Sequence, residues 1–134
     1  MSVTRLGRAL TRRVRFTPEQ TAISITERAA TANPTAVDLY WGKHTVNSTP
    51  FNSAEKSLQY LEWRFGQYPL FRELMELWGE HDDRVVLDYG CGPGNDLTGL
   101  LVYIKARKVI GIDVSVKALE LARRRLALHK IDPS

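Results

Sequence analysis

Three glycines at alternating positions, preceded by an acid, form the segment of this chain with the clearest chemical meaning. Asp88 stands two residues before Gly90, which is followed by Gly92 and Gly94, and the apolar run Val85–Leu87 comes directly before. Glycines after a strand remove side chains, so a ligand can approach the backbone closely while the chain turns sharply. The segment therefore predicts a loop that binds a ligand of the nucleotide type.

A second acid stands where a ribose could be bound. Asp113 ends the apolar run of Val109, Ile110 and Ile112. It follows Gly94 by roughly 20 residues, the offset at which a carboxylate binds the hydroxyls of a ribose. Because open α/β sheets bind ligands at the carboxyl ends of their strands, we expect Asp113 and the glycine loop to meet at one edge of the sheet.

The register of the glycines discriminates between ligands. A dinucleotide loop, G-x-G-x-x-G, needs a third glycine where this chain has Asn95, counting from Gly90, or Leu97, counting from Gly92. A carboxylate at Asp88 repels a pyrophosphate but suits a cationic ligand. S-adenosylmethionine is such a ligand, with an ammonium, a sulfonium, a ribose diol and no phosphate. An NAD-dependent dehydrogenase is the weaker alternative.

The elements that position these residues follow from hydrophobic periodicity. The unalternating run Val85–Leu87 predicts a strand buried on both faces of a parallel sheet. A helix is predicted from Asn95, and Ser115 is predicted to cap the next one. The apolar residues expected on the buried faces of these helices are Leu97, Leu100, Leu101, Ile104, Leu119, Ala122 and Leu126. The predicted fold class is α/β, a Rossmann-like doubly wound parallel sheet of which only the first βαβ unit is present, preceded by an α-helical N-terminal segment.

Two motifs resemble a known family. VVLDYGCGPGNDL (Val85–Leu97) resembles the first motif of class I S-adenosylmethionine-dependent methyltransferases, and VIGIDVS (Val109–Ser115) is similar to the second. The resemblance covers about residues 84–130. It implies S-adenosylmethionine as cofactor, with Asp88 organising the methionine end, Asp113 binding the ribose and Val114 packing against the adenine. The other candidate cofactor-binding residues are Gly90, Cys91, Gly92, Gly94 and Asn95, and no catalytic residue is assigned.

The chain before these motifs divides into two segments. Residues 1–38 read as a basic leader with a Thr/Ala-rich linker, in which residues 21–36 predict a weak helix. Residues 39–80 read as an aromatic-rich helical cap on the cofactor-binding part, residues 81–134. Within the cap, YWGKHTVN (Tyr40–Asn47) is a candidate lid over a ligand, and packing of the cap helices on a sheet edge is the alternative.

Two helices are predicted in the cap. Ser53 is expected to cap the first, with Leu58, Leu61 and Phe65 along one side. Pro69 is expected to open the second, which Gly79 ends. The residues expected along one face of the second helix are Leu70, Leu74, Leu77 and Trp78.

Composition limits the remaining possibilities. The chain has 134 residues, a net charge of +4 and one cysteine, which excludes an internal disulfide and fits a reducing compartment. No apolar run reaches the roughly 18 residues of a membrane helix, so a cytoplasmic, membrane-free protein is expected. The histidines, His44, His81 and His129, lack metal-ligand spacing, so no metal is expected. Because the basic clusters are not interleaved with aromatics, nucleic acid is not expected as a partner, and the basic outer face of the last helix is expected to be solvated.

The expected partner is a small-molecule methyl acceptor. Two parallel strands leave an exposed sheet edge, which predicts a fragment of a larger methyltransferase and self-association through that edge. A non-catalytic S-adenosylmethionine-binding or interaction module is the alternative function.

Overall fold

The elements are given by a computed structural model that describes residues 22–27, 35–46, 49–74, 81, 84–104 and 106–133. The predicted leader and the positions of Leu77, Trp78 and Gly79 lie outside these residues. The strands and helices, in chain order, are β1 (Ala22–Glu27), α1 (Ala36–Lys43), α2 (Ala54–Gly66), α3 (Phe71–Leu74), β2 (Val85–Tyr89), α4 (Asn95–Tyr103), β3 (Lys108–Asp113) and α5 (Val116–Leu128).

The three strands form one parallel sheet in the order β1-β3-β2. Asp88 of β2 and Ile25 of β1 lie on either side of Gly111 in β3. The βαβ unit runs through β2, α4 and β3, so the predicted α/β class with a partial Rossmann-like sheet is confirmed. Both acids predicted to bind the ligand, Asp88 and Asp113, lie at or next to the carboxyl ends of their strands.

The first strand corrects the prediction for residues 21–36, which was wrong. Residues Ala22–Glu27 form a strand instead of the start of a weak helix. The segment contains Ile23, Ile25 and Thr26, and β-branched residues fit a pleated strand better than a helix. Pairing with β3 supplies hydrogen bonds that no local sequence pattern reveals.

The core lies on one face of the sheet. Val109 of β3 is fully buried and lies in one cluster with buried side chains of α2, α4 and α5, against which Val86 of β2 and Phe71 of α3 also pack. The fully or almost fully buried apolar residues that these helices contribute are Leu61, Leu97, Leu101 and Leu126. The predicted inner faces of α4 and α5 are therefore confirmed.

The opposite face of β2 corrects a second prediction. Val85 is 49% exposed and Leu87 is 56% exposed, so β2 is buried on one face and not on both. Successive side chains of a strand point to opposite faces. The helices whose residues form the core cluster pack on the Val86 side, so alternation leaves Val85 and Leu87 uncovered in the part of the chain that is described.

The cap helices agree with prediction in α2 and differ in α3. Ser53 caps α2 by accepting a hydrogen bond from the backbone N–H of Lys56 at 3.2 Å, and Leu61 and Phe65 are buried. Leu70, in contrast, has a left-handed backbone with φ of 63° and is 64% exposed, and Leu74 is 77% exposed. A leucine in that conformation cannot continue a helix, so α3 begins only at Phe71 and does not bury the predicted face.

Arg125 corrects a further prediction. The basic residues of α5 are predicted to lie on a solvated outer face, and Arg125 does not lie there. Only 3% of Arg125 is exposed. Its guanidinium donates from Nε to Ser57 Oγ at 2.8 Å, from Nη2 to Ser57 O at 3.0 Å, and from Nη1 to Asn95 Oδ1. It also lies over the ring of Phe51, 4.4 Å from the centroid. Arg125 thereby joins α5 to the first turns of α2 and α4, while Arg124 stays exposed.

Two kinds of feature are absent from the described residues. No helix there is both long and apolar enough to cross a bilayer. No group of three or more histidine, cysteine, aspartate or glutamate side chains there is placed to hold a metal ion.

Candidate functional site

The loop between β2 and α4 is built from glycines in the left-handed region. Gly90, Gly92 and Gly94 have φ values of 74°, 53° and 79°, which favour residues without a Cβ. The loop is fastened to β3, because the backbone N–H groups of Gly90 and Cys91 both donate to the carbonyl oxygen of Ile112, at 2.8 and 3.0 Å. The alternating glycines therefore shape a loop that lies against the end of the neighbouring strand.

Asp113 connects this loop to the start of α5. Its Oδ2 accepts a hydrogen bond from the backbone N–H of Gly92 at 2.9 Å, and its Oδ1 accepts one from the backbone N–H of Ser115 at 2.8 Å. Ser115 is the N-cap of α5, as predicted, and accepts from the backbone N–H of Ala118. The two sequence motifs thus meet in space through one carboxylate.

A cavity of about 790 Å³ opens beside this carboxylate. Four of the predicted cofactor-binding residues line it, and these are Gly90, Gly92, Asp113 and Val114. The neighbouring lining residues from the loop, β3 and α5 are Tyr89, Pro93, Ile112, Ser115 and Ala118. No lysine or arginine of the described chain lines the cavity, so Asp113 is the charged side chain on its wall.

The other four predicted residues do not line the cavity. Cys91 is 5% exposed, and burial raises the pKa of its thiol to about 12, so the thiolate nucleophile is scarcely populated at neutral pH. Asn95 is 8% exposed, and its side-chain oxygen accepts from Arg125. Gly94 packs against Ala122 of α5. These three residues pack on the side of the loop that faces the protein interior, away from the cavity.

Asp88, the fourth, lies under the loop in an environment that opposes its ionisation. Burial, and after it the nearby carboxylate of Asp96, raise the pKa of Asp88 to about 6, although the backbone N–H of Leu97 and the guanidinium of Arg64 act in the opposite direction. Arg64 forms an ion pair with Asp96. Oδ2 of Asp88 is buried with no hydrogen-bond partner among the described residues. The carboxylate thus lacks part of the compensation that a buried charge requires.

Replacement of Asp88 by asparagine is expected to stabilise the ligand-free chain at high pH only. The folded chain holds the Asp88 proton up to about pH 6, whereas the unfolded chain releases it near its ordinary pKa of 3.8, so wild-type stability falls as pH rises between these values. We expect Asp88→Asn to raise the free energy of unfolding by about 1–2 kcal/mol near pH 8 and to give no gain near pH 3.5.

Denaturant titrations of Asp88→Asn and of the control Asp132→Asn, which alters an exposed carboxylate, check this at both pH values. An Asp88→Asn gain of equal size at the two pH values would show that ionisation is not its cause.

Two glycines of the loop offer a matched pair of substitutions. A Cβ at Gly94 would lie 3.1 Å from Cβ and 3.2 Å from Cα of Ala122, whereas a Cβ at Gly90 meets nothing within 4 Å. Both have positive φ, so alanine at either costs about 1 kcal/mol in backbone strain. We expect Gly94→Ala to lower the free energy of unfolding by about 1 kcal/mol more than Gly90→Ala, measured by urea denaturation without ligand. Equal losses would show that the contact with α5 is not tight.

The second wall of the cavity comes from α1 and the residues that follow it. Trp41, His44, Thr45 and Val46 line the cavity. They belong to the segment Tyr40–Asn47, for which a lid over a ligand stays a prediction. Val37 also lines the cavity and was not among the predicted residues. Its position four residues before Trp41, on the same helical face, is the signal that could have identified it.

A parallel sheet with a glycine loop and a carboxylate at its carboxyl edge is the arrangement of a Rossmann-like domain. Comparison with known proteins makes the class more specific. Residues 80–133 match the family model described as a methyltransferase domain. The match agrees with the resemblance seen in the two motifs and supports a class I methyltransferase domain over residues 80–133, a segment that makes up less than half of the chain.

The relatives share a reaction type and differ in their named substrates. The chain is 39% identical over 77 residues to a trans-aconitate 2-methyltransferase of Rhodopseudomonas palustris, covering 51% of this chain and 30% of that protein. It is 36% identical over 66 residues to an uncharacterised RNA methyltransferase of Clostridium acetobutylicum, covering 49% and 14%. It is 38% identical over 53 residues to a ribosomal protein L11 methyltransferase of Marinomonas, covering 39% and 17%.

The chain thus spans less than a third of the length of these curated relatives. No solved structure shows a significant match to it.

Proposed function

We propose that the cavity binds S-adenosylmethionine and that the protein transfers its methyl group to a small molecule. The observation that carries the proposal is the charge of the cavity wall, where Asp113 stands and no basic side chain of the described residues does. A pyrophosphate favours cationic groups, whereas a ligand with an ammonium and a sulfonium favours a carboxylate. This wall therefore suits a cationic nucleoside, and the loop register, with Asn95 or Leu97 where a dinucleotide loop has its third glycine, disfavours NAD.

The residues present fit that cofactor. Each oxygen of the Asp113 carboxylate accepts one backbone hydrogen bond, and each has capacity for a second acceptor interaction, which suits the two hydroxyls of a ribose. Val114 and Ile112 offer apolar surface for the adenine. When bound, the cofactor supplies the methyl group on a sulfonium; this chain's residues bind and orient it.

Asp88 fits the same ligand through charge. Its raised pKa reflects burial with incomplete compensation, and a cation bound above the loop lowers the free energy of the ionised form. Binding of a cationic cofactor is therefore expected to favour the carboxylate of Asp88, whether the interaction is direct or through water.

The wall of the cavity formed by α1 and the residues that follow it favours a small molecule as the methyl acceptor. The names of the relatives include a small acid, RNA and a protein as substrates, so the names alone do not choose. Trp41 and Val46 of the α1 segment face the loop across the cavity, and an acceptor placed between these walls has to be small. Large substrates would need this segment to move away.

A thermal melt with S-adenosylhomocysteine, and separately with NAD, tests the cofactor. A ligand that binds only the folded chain stabilises it by RT ln(1 + [L]/Kd). We expect S-adenosylhomocysteine at 100 times its Kd to add about 2.7 kcal/mol to the free energy of unfolding, and NAD to add nothing. Stabilisation by NAD alone would overturn the proposal.

A further inference from the structure

The α1 segment, which comprises α1 and the residues that follow it to Val46, forms the second wall of the cavity. Hydrogen bonds within the segment stabilise it, and packing in the protein core does not. Val37 and Trp41 lie on one face of α1, and His44 and Thr45 follow the end of the helix. All four line the cavity, yet no residue of α1 is buried. The helix is stabilised locally by the capping box of Thr35 and Asp38, in which each side chain bonds the backbone of the other. Its inner surface thus faces the cavity and not a protein core.

Thr45 gives this wall an unsatisfied polar group. Its Oγ1 is buried and has no hydrogen-bond partner among the described residues. A buried hydroxyl that makes no hydrogen bond costs free energy, which a ligand group can recover by bonding to it. Because Thr45 lines the cavity, a ligand in the cavity is placed to do so.

His44, the adjacent residue, offers an acceptor whose orientation is already set. Its Nδ1 lies 2.9 Å from the carbonyl oxygen of Tyr40. A carbonyl only accepts, so Nδ1 carries the proton in this contact, and in this tautomer Nε2 carries the lone pair. The ring also stacks on Tyr40, with centroids 4.4 Å apart and planes inclined by 20°. Nε2 is therefore an acceptor on a side chain held at two points.

The two walls of the cavity differ in chemistry. At about 790 Å³ the cavity lies in the upper part of the range of roughly 300–1,000 Å³ that holds one small molecule. The loop wall, with Asp113, suits the nucleoside. The α1 wall has no charged group of its own in contact with the cavity and combines the ring of Trp41 with the hydroxyl of Thr45 and the imidazole of His44.

We propose that the α1 wall is the methyl-acceptor subsite, and that it binds a small molecule with a hydroxyl or amine hydrogen-bonded to Thr45 Oγ1 and His44 Nε2 and an apolar body against Trp41. The inference rests on the proposed function, since an acceptor subsite needs a cofactor on the opposite wall.

The competing interpretation is that the α1 wall covers the cofactor itself. Calorimetric titration of S-adenosylhomocysteine into Thr45→Val and His44→Asn separates the two, with Lys43→Ala as the control, since Lys43 is exposed and does not line the cavity. We expect all three variants to bind within about threefold of wild type. A tenfold or larger loss in Thr45→Val and His44→Asn would assign the wall to the cofactor and overturn the proposal.

Binding of a simple acceptor probe supplies the second measurement. Phenol and toluene differ by the hydroxyl that the subsite is proposed to bind, and both can be titrated into the S-adenosylhomocysteine-saturated chain while the amide of Thr45 and the imidazole of His44 are followed by NMR. We expect phenol to bind at least tenfold more tightly than toluene in wild type and Lys43→Ala. Thr45→Val and His44→Asn are each expected to reduce that preference to threefold or less.

Equal binding of phenol and toluene by wild type would overturn the subsite. Failure of the proposed function is a different result, because it would be seen in the first titration as a wild-type chain that does not bind S-adenosylhomocysteine.

Discussion

Asp113→Ala is expected to abolish the stabilisation of this chain by S-adenosylhomocysteine. The substitution removes the carboxylate on the cavity wall and with it the two hydrogen bonds from Gly92 and Ser115 that shape the loop and the start of α5. Hydrogen bonds to a charged group contribute about 1.5–3 kcal/mol each. Loss of those to the ribose alone lowers affinity by at least a factor of about 100.

Calorimetry on Asp113→Ala, at a temperature where the variant is folded, measures this loss. Because the variant also loses two bonds within the protein, a lower melting temperature is expected with no ligand present, and affinity must be compared separately from stability. Asp132→Ala, at an exposed carboxylate near the end of the described chain, is the control. Retention of affinity within threefold by Asp113→Ala would remove Asp113 from the site.

Arg125→Ala is expected to have the largest effect on stability. It leaves the side-chain oxygen of Asn95, which is 8% exposed, without its donor, and it leaves the hydroxyl of the fully buried Ser57 with His129 Nε2, at 2.9 Å, as its remaining side-chain partner among the described residues. A buried group left unsatisfied costs about 1–3 kcal/mol. Burial lowers the pKa of Arg125 to about 10, which shows that the guanidinium itself is held there at a cost. Its removal recovers part of that cost, so we expect a net loss of about 3 kcal/mol.

Arg124→Ala is the matched control for this substitution. Arg124 is the neighbouring residue on the same helix and is exposed, so its replacement is expected to change the free energy of unfolding by no more than about 0.5 kcal/mol. Urea denaturation of the two variants gives the comparison. If Arg125→Ala lost less than about 1 kcal/mol relative to Arg124→Ala, the buried network would not be a major source of stability.

Local sequence patterns predicted the part of the site that is built from contiguous residues. Gly90, Gly92 and Gly94 required positive φ and have it, and Ser115 caps α5 as its position indicated. The spacing of Asp113 placed it at a strand end, next to the loop. In each case the information lies within a few residues of the feature, so the pattern and the structure have the same local cause.

Features that depend on distant residues escaped prediction. Arg123, Arg124 and Arg125 are one chemical type in sequence, and only contacts with Ser57 and Asn95 select Arg125 as the buried one. The pairing of β1 with β3 joins segments more than 80 residues apart, which no local periodicity records. The exposed face of β2 likewise depends on which elements pack against the sheet.

The chemistry of His44 and Thr45 in the α1 wall likewise could not be predicted from local sequence patterns. The segment Tyr40–Asn47 stood out because rings and polar groups are mixed outside any clean period. Its chemistry became specific only when the structure gave His44 a fixed Nδ1 partner and left Thr45 Oγ1 without one. Neither fact follows from the residue types.

Backbone NMR with added S-adenosylhomocysteine tests the central claim most directly, because it reports where the ligand binds. The account predicts chemical-shift changes concentrated at the amides of Gly90, Gly92, Val114 and Ser115, which form the loop wall of the cavity. Changes confined to another surface, such as the groove beside Phe51 and Tyr60, or no changes at saturating ligand, would contradict it.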